Sequence, residues 1–571
     1  MKISTTFCGR RLRSMLLTAS ISVFVEIANL LVDKIVAGQI LGEQALSAIA
    51  LITPLFSVVF FVGVVIAVGS IVCYSYEIGK INRERASCFF GQGVILSVIA
   101  GVVLSLVLCV FREPLFALLD ISRDLVVLTE SFYKWFVLLA FLIPLNNLLQ
   151  EMVYVDGDTQ ICNLSCISLT AVNIVASVLL AKHIGMEGVA LGSVIAVVVS
   201  DLILFLHFLK KTNTLKFRWH LTLRDCSLVV RLSLVEACDY LFFAVFSYVL
   251  TQFVLVMFGE ANLPVLSMMF EVWEFGIVFT GIWLAAEPLI NIYRGEQNAF
   301  CVKRVMGFVN WLIFKEGLLA MVALLLFAPL IVRLFHFSSV DLIENAVFAV
   351  RVAAVGMLAL AFVKVYVNYY VHEWPVCAVT LVAVSALLTP IVSCVGLGAA
   401  LGIDGVWIGL GVAPVIAFGA CLVVIASRYG FKNVPLILSS QLGNSHRYVS
   451  DMELTPENLI ELRDRTEQIL IRENVCPATR MKIMLLIEEI GMIFYERCKG
   501  RKIYAEHVLL VEKDAVLCAI KDEGPFMDLT QPDVHIGDLR MYLVNSLMEK
   551  HNDKTYLLTS RYNRHVFKFP R

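Results

Sequence analysis

Charge is scarce in this chain. Of 571 residues only 16% are charged against 59% hydrophobic, and mean hydropathy is +0.82. That balance excludes an ordinary soluble globular protein and leaves a membrane protein. The formal net charge is −1, and the basic residues fall in short clusters rather than one stripe, which excludes a nucleic-acid-binding face. Fifteen cysteines are scattered through apolar stretches without a CxxC pair or a Cys/His set at zinc spacing, so neither a disulfide framework nor a metal site is expected. Behind Arg10, Arg11 and Arg13 the apolar stretch is too long for a signal-peptide core and lacks a small-residue cleavage site, so it reads as a retained first span.

Apolar runs, in contrast, are abundant. A bilayer core needs about 20 apolar residues per helix. On that ruler twelve spans fit between Arg13 and Arg428, centred near residues 26, 60, 100, 142, 172, 198, 245, 275, 320, 358, 386 and 416. The basic clusters Lys80/Arg83/Arg85, Lys210/Lys211/Lys216/Arg218/Arg224, Arg294/Lys303/Arg304 and Arg428/Lys432 then fall on the side of the N-terminus. The positive-inside rule makes that side cytoplasmic.

The spans also repeat. GMEGVALGSV from Gly185 matches GIDGVWIGLG from Gly402 at an offset of 217, and YEIGKINRERA from Tyr76 matches IYRGEQNAFCV from Ile292 at 216. Two matches at nearly one offset imply duplication, giving two six-helix lobes around a central cleft. Residues 1–220 form the N-lobe, 221–432 the C-lobe and 433–453 a linker.

One stretch of the first span, VEIANLLVDKI, carries Glu26, Asn29, Asp33 and Lys34. Glu26 and Asp33 are seven apart and share a helix face with Asn29. An ionised acid at mid-bilayer costs roughly 2.5–3.5 kcal/mol, so that face needs a polar cleft or internal partners. Two readings follow: Asp33 pairs with the adjacent Lys34 while Glu26 is protonated, or the acids form a cation or proton site that changes protonation as the cleft opens. Further acids, Glu236, Asp239, Glu271, Glu274 and Glu287, occupy the first spans of the second half and favour the second reading. Glu271 and Glu274, three apart, share a face before Phe275-Gly276, and Glu287 precedes Pro288. Tyr366, Tyr369 and Tyr370 either line a cleft or belong to an interfacial belt.

NLLVDKIVAGQILGEQALSAIALITPLF from Asn29, DGDTQICNLSCISLTAVNIV from Asp156, GMEGVALG and EPLINIYRGEQN resemble the multidrug and toxic compound extrusion (MATE) family over residues 1 to about 432. The resemblance implies two six-helix lobes that export cationic amphiphiles in exchange for protons or sodium. By motif Asp33 matches the family's first-helix acid and Asn173 its fifth-helix asparagine. Ser177 stands where many bacterial members have aspartate, and Lys34 where a small polar residue is usual. Glu26 is a candidate substitute for the missing acid.

After about Phe431 the composition changes to amphipathic patterns with dispersed charge. Thr455-Pro456-Glu457 is an N-cap, N1 proline and acidic first turn. Two helices, two strands joined at Glu512-Lys513-Asp514, a helix from Leu539 to Glu549 and a terminal hairpin turning at Tyr562-Asn563 follow, an α+β two-layer sandwich over residues 454–571. LLIEEIGMIFYERCKGRK, IKDEGPFMDL and IGDLRMYLVNSLMEKHNDKTYLLTSRYN resemble, in order, the boxes of the GHKL ATPase fold, nearest to anti-sigma-factor serine kinases. By that resemblance Glu489 is the first-box acid, and Asp522 and Gly524 belong to the adenine box. Ile493 replaces the magnesium-binding asparagine and cannot coordinate a hard cation, while Gly537 is all that remains of the glycine loop. The resemblance therefore implies a degenerate nucleotide site, open to weak nucleotide binding without magnesium but not to catalysis.

Together these readings describe a multi-pass protein of the bacterial inner membrane with both termini cytoplasmic, a secondary transporter and not an enzyme. Its coupling ion is a proton or sodium, its partners a small cationic or amphiphilic molecule, the bilayer and a regulatory protein at residues 454–571. Two rival functions remain: a flippase of the same superfamily for lipid-linked substrates, and a membrane-tethered signalling protein that sequesters a regulator.

Overall fold

The structure is a computed structural model. It describes residues 31–79, 83–119, 123–156, 158–210, 213, 215–295, 299–337, 339–371, 374–436, 438, 446–498, 501–512, 514–522, 524, 540, 543–544, 546, 554–559 and 562–571, with positions 9, 12, 13, 16 and 23. The chain forms two compact units: Ala19–Trp283 with Asn310–Val434, and Leu284–Val309 with Pro435–Arg571 and Met1–Thr18.

Helices fill the first of these. α1 covers 31–41, followed by α2 (Glu43–Gly79), α3 (Arg83–Val110), α4 (Arg112–Leu118), α5 (Arg123–Val155), α6 (Thr159–Ile184), α7 (Met186–Phe205), α8 (Leu223–Phe258), α9 (Leu263–Glu274), α10 (Thr280–Gly295), α11 (Ala299–Phe335), α12 (Val340–Tyr370), α13 (Pro375–Val382), α14 (Thr389–Leu401) and α15 (Ile403–Tyr429). Caps fix several starts. The side chains of Asp158, Thr222 and Ser339 accept from the amides of Ile161, Asp225 and Leu342 at the heads of α6, α8 and α12.

Among the described residues ten helices are long and apolar enough to span a bilayer. The sequence leads one to expect twelve, and the difference lies in two places. Most of the first span lies outside the described residues. Near residue 275 the expected span is broken into α9 and α10 by the tight turn Phe275–Phe279, at Phe275-Gly276. A side chain on Gly276 would press to 2.5 Å from Leu360, so this is also a point of close helix approach.

The internal repeat is visible at the level of single residues. α5 and α12 start at Arg123 and Val340, and α7 and α15 at Met186 and Ile403, each pair 217 apart. The turns agree as well: Gly185 and Gly402 lie at φ +64 and +76, Gly42 and Gly259 at +86 and +81, conformations that L side chains avoid. Within the matching hairpins, a Cβ on Gly192 would fall 2.2 Å from Ser177 Oγ and one on Gly409 2.5 Å from the Cys394 Cα, again 217 apart. The Gly42/Gly259 pair heads GEQAL and GEANL, a third match too short to stand out in the sequence alone.

The C-terminal domain is a five-stranded antiparallel sheet in the order β1-β2-β3-β5-β4. Its strands are β1 (Arg447–Glu453), β2 (Tyr504–Val511), β3 (Ala515–Asp522), β4 (Lys554–Thr559) and β5 (Tyr562–Pro570), with α16 (Pro456–Arg472) and α17 (Pro477–Arg497) between β1 and β2. Thr455 caps α16 with Pro456 in the first turn, as the local sequence dictates. β1 corrects the domain boundary: it lies inside 433–453, which composition marks as linker, because a short polar edge strand has no apolar run to reveal it. The hairpin β4–β5 pairs Thr559 with Tyr562, so Tyr562-Asn563, where the sequence places the turn, already belongs to β5. The expected helix 539–549 lies mostly outside the described residues.

One sheet face carries Leu509, Val511, Val516, Cys518, Phe567 and Phe569 into a core with Leu459, Leu462, Ile483, Ile487, Ile490 and Phe494 of the helices. His507 is buried on that face, and burial holds its imidazole down at about 4, hence neutral. The opposite face carries a row of charges: Asp451, Glu506, Lys521 and Arg564 are successive cross-strand partners. Glu506 and Lys521 are 0% and 1% exposed. They are paired at 2.8 Å, and the Tyr293 hydroxyl of α10 donates to Glu506 at 2.6 Å. The Lys521 ammonium also sits 4.4 Å from the Tyr293 ring centre, and Arg304 of α11 pairs with Asp451. The charged row is thus roofed by the α10–α11 segment of its own unit, and a buried charge needs such partners.

Candidate functional site

Asp33 on α1 meets α6 and α7. Asn173 Nδ2 donates to Asp33 Oδ1 at 3.1 Å and Ser193 Oγ donates to Oδ2 at 2.7 Å. Ser177 Oγ donates to Asn173 Oδ1 at 2.9 Å, which fixes the amide with its NH2 toward the acid. Ser193 has two further acceptors within reach, Asn173 Oδ1 at 3.2 Å and the Val189 carbonyl at 3.4 Å. Asn173 and Ser177 are buried, and Ser193 is 8% exposed. The close α6–α7 approach permitted by Gly192 is what brings Ser193 and Ser177 onto one asparagine.

Lys34, next in sequence, points elsewhere. Its ammonium pairs with Glu271 of α9 at 2.6 Å, both side chains 7% exposed, and donates to the Ser267 carbonyl at 3.3 Å. The simple alternative of an Asp33–Lys34 pair is not what forms, because neighbours in a helix diverge by about 100°. Glu274 lies half-buried one turn on from Glu271, with the charges of Glu271, Lys34, Lys364 and Asp239 as its electrostatic neighbours. Lys364 of α12 pairs with Asp239 of α8 at 2.5 Å. A polar band of acids and lysines therefore crosses from α1, α6 and α7 to α8, α9 and α12. Removing one member of a nearly dry pair leaves an unpaired charge worth about 3–5 kcal/mol. Lys34→Met should accordingly lower thermal stability strongly in detergent, and adding Glu271→Gln should recover most of the loss; additive losses would mean the two do not act as a pair.

The remaining expected residues fall in different places. Glu26 and Asn29 lie outside the described residues. Glu236 is exposed, and Glu287 is half-buried on α10, in the other compact unit. Tyr366, Tyr369 and Tyr370 are 1%, 5% and 0% exposed, so they belong to the core and not to an interfacial belt. Tyr366 donates to Asn310 at 3.0 Å and Tyr370 to the Asn433 carbonyl at 2.5 Å, while Trp374 stacks between Tyr370 and Tyr429. Sequence reading missed Ser193, Lys364 and the partner of Lys34. Ser193 stood inside the GMEGVALGSV repeat, and Lys364 is a single cation in an apolar span, itself a signal.

In the C-terminal domain Glu489 is paired with Arg540 at 3.1 Å. Asp522 Oδ1 accepts from the Gly524 amide at 2.8 Å and from Asn563 Nδ2 at 3.0 Å. Ile493 is buried in the core at 2% exposure.

Residues 19–179, which hold Asp33, Asn173 and Ser177, match the MatE family model. A multidrug resistance MATE family transporter of the MOP superfamily in its inward-facing conformation is similar at TM-score 0.64 and 20% identity, over 73% of this chain and 96% of that one. Its outward-facing conformation gives 0.62 and 20%, over 75% and 100%. The membrane part has the MATE fold. A MOP superfamily transporter from Pyrococcus furiosus, described as having a binding pocket of reverse polarity that suggests a different function, is similar at 0.61 and 20% over 74% and 96%. The multidrug export protein MepA of Staphylococcus haemolyticus is 22% identical over 178 residues, 31% of this chain, and the chain spans 39% of that relative's length. The MATE fold and the MatE segment are those of transporters rather than enzymes.

Proposed function

We propose that this chain is a proton-coupled exporter of small cationic amphiphiles, in which Asp33 holds either a proton or the electrostatic pull on the substrate. The observation that carries this reading is the freedom of the Ser193 hydroxyl. With Asp33 ionised, Ser193 donates to it. With Asp33 protonated on Oδ2, the acid donates to Ser193 Oγ and the serine hydrogen turns to Val189 O or Asn173 Oδ1. Both protonation states are then satisfied without an orphaned buried group.

Sodium fits this cluster less well, since hard cations take oxygen ligands and Asn173 turns nitrogen toward the acid. The acids of the band favour a cationic substrate over an anionic lipid-linked one. Nearby, Met269, Trp273, Met357 and Leu360 line a small apolar cavity of about 10 Å³, room for about one water molecule. Flexible methionines suit varied apolar bodies. Drug-sized sites run to roughly 300–1,000 Å³, so this one must widen to accept such a molecule. Basic loops place both termini in the cytoplasm, across twelve spans of a bacterial inner membrane. The C-terminal domain is a regulatory module of GHKL-like ancestry without magnesium chemistry, and its occupied Glu489 and Asp522 support that role.

Reconstituted full-length protein should accumulate ethidium, a planar fluorescent cation, when a proton gradient is imposed and not when a sodium gradient is imposed. Accumulation under sodium alone would reassign the ion, and no flux under either would favour the tethered signalling alternative.

A further inference from the structure

A second buried acid lies along the same helix as Ser193 and has no part in the site above. Asp201 on α7 is 7% exposed. Among the described residues its one bond is from Asn146 Nδ2 of α5 to Oδ1 at 2.8 Å. Asn146 also donates to Ser200 Oγ at 3.0 Å and accepts from Gln150 at 3.1 Å, while Ser165 of α6 shares a 2.7 Å bond with Ser200. α5 bonds Asp201 itself, and α6 bonds its neighbour Ser200. The groups they turn to this cluster are Asn146, Gln150 and Ser165, and among the described residues no lysine, arginine, histidine or second carboxylate bonds Asp201.

Below it lies a third polar layer. His207 is 1% exposed, with Nδ1 2.9 Å from Asp158 and Nε2 2.8 Å from Asp156. Lys210 pairs with Asp158 at 2.7 Å. Asp158 caps α6 outside the spans; burial pushes its carboxyl up, but Lys210 and His207 outweigh that and hold it low.

Ser193 and Ser200, seven apart, share one stripe of α7 with layers about 10 Å apart, and His207, seven further on, lies in the 3-10 turn Leu206–Leu209 that follows α7. The two acids that meet these α7 layers differ. Asp33 receives donors on both oxygens, as a carboxylate requires, whereas among the described residues Asp201 receives one and pairs with no cation, an arrangement that suits a neutral acid at membrane depth.

We propose that Asp201 is the inward release station for the proton loaded at Asp33, passing it to the Asp156–His207–Asp158 layer at the basic end of α7. This rests on the proton coupling proposed above. The proton leaves Asp33 Oδ2 for an intervening water, another proton reaches Asp201 Oδ2, and Ser193 turns back to donate to the new Asp33 carboxylate. The proton already on Asp201 leaves through water to a carboxylate oxygen of the Asp156–His207–Asp158 layer and on to bulk water, and the arriving proton replaces it, so Asp201 is neutral between turnovers.

The test compares the parent with Asp201→Asn and Asp33→Asn in proteoliposomes, using ethidium. A gradient of about one pH unit supports an accumulation ratio of about tenfold for one-proton exchange. Asp201→Asn should bring the ratio to about one while leaving ethidium exchange without a gradient near the parent rate, and Asp201→Glu should restore the ratio. If Asp33→Asn is uncoupled and Asp201→Asn accumulates like the parent, this inference fails alone. If Asp33→Asn accumulates like the parent, the coupling reading itself fails. Should Asp201→Asn lose exchange as well, infrared spectra of the full-length protein decide. A protonated-carboxyl band at neutral pH present in the parent and in Asp33→Asn but missing in Asp201→Asn supports the station, and its presence in all three overturns it.

Discussion

Asp33→Asn should convert the protein from a coupled exporter into one that cannot use the gradient. Asparagine keeps the shape and the bond to Ser193 but carries no exchangeable proton, so it mimics the protonated state permanently. Ethidium should bind about tenfold more weakly, because a carboxylate near a desolvated cation contributes roughly 1–2 kcal/mol. Ser193→Ala makes a milder companion: it removes the rotor but leaves Asn173, so coupling should weaken without disappearing. Isothermal titration in detergent and gradient-driven flux separate these effects. Unchanged affinity and unchanged flux in Asp33→Asn would remove the residue from the mechanism.

The second large effect is expected far from that site. Lys521→Met leaves Glu506 without its lysine in a fully buried place, with the Tyr293 hydroxyl as its remaining side-chain donor among the described residues. Breaking such a pair costs about 3–5 kcal/mol, whereas replacing both partners by apolar groups can be neutral. The single variant should therefore open the C-terminal domain to limited proteolysis of the full-length protein. Lys521→Met with Glu506→Met should regain most of the protection. If the double variant is as labile as the single one, the pair is not what holds that face, and packing by the α10–α11 segment carries the load instead.

Periodicity was enough to reveal the membrane class and the repeat, because burial in lipid demands long apolar runs and a duplicated turn keeps its glycines. Asp33 and Asn173 were legible for the same reason that makes them costly: a carboxylate and an amide in apolar spans need a purpose or a partner. Their serine partners were not. Ser177 and Ser193 are common in spans, and only the close approach at Gly192 makes them ligands of one amide. The partner of Lys34 was not legible because adjacency in sequence is not adjacency on a helix, and that partner lies 237 residues on, at Glu271. Asp201 is a lone acid near a span end, which sequence alone cannot distinguish from an interfacial residue. In the C-terminal domain the caps and strands followed local rules. β1 escaped because an edge strand of mixed polarity has no periodic signal, and the charged row of Asp451, Glu506 and Lys521 escaped because its meaning depends on what roofs it.

Coupling at Asp33 is tested most directly by counting protons when ethidium is added to the solubilised full-length protein in weak buffer. If substrate and proton compete for this carboxylate, the parent should release about half a proton per bound ethidium at the midpoint of its titration, rising toward one at lower pH, and Asp33→Asn should release none. Equal release from both proteins, or none from the parent while ethidium binds, would contradict it.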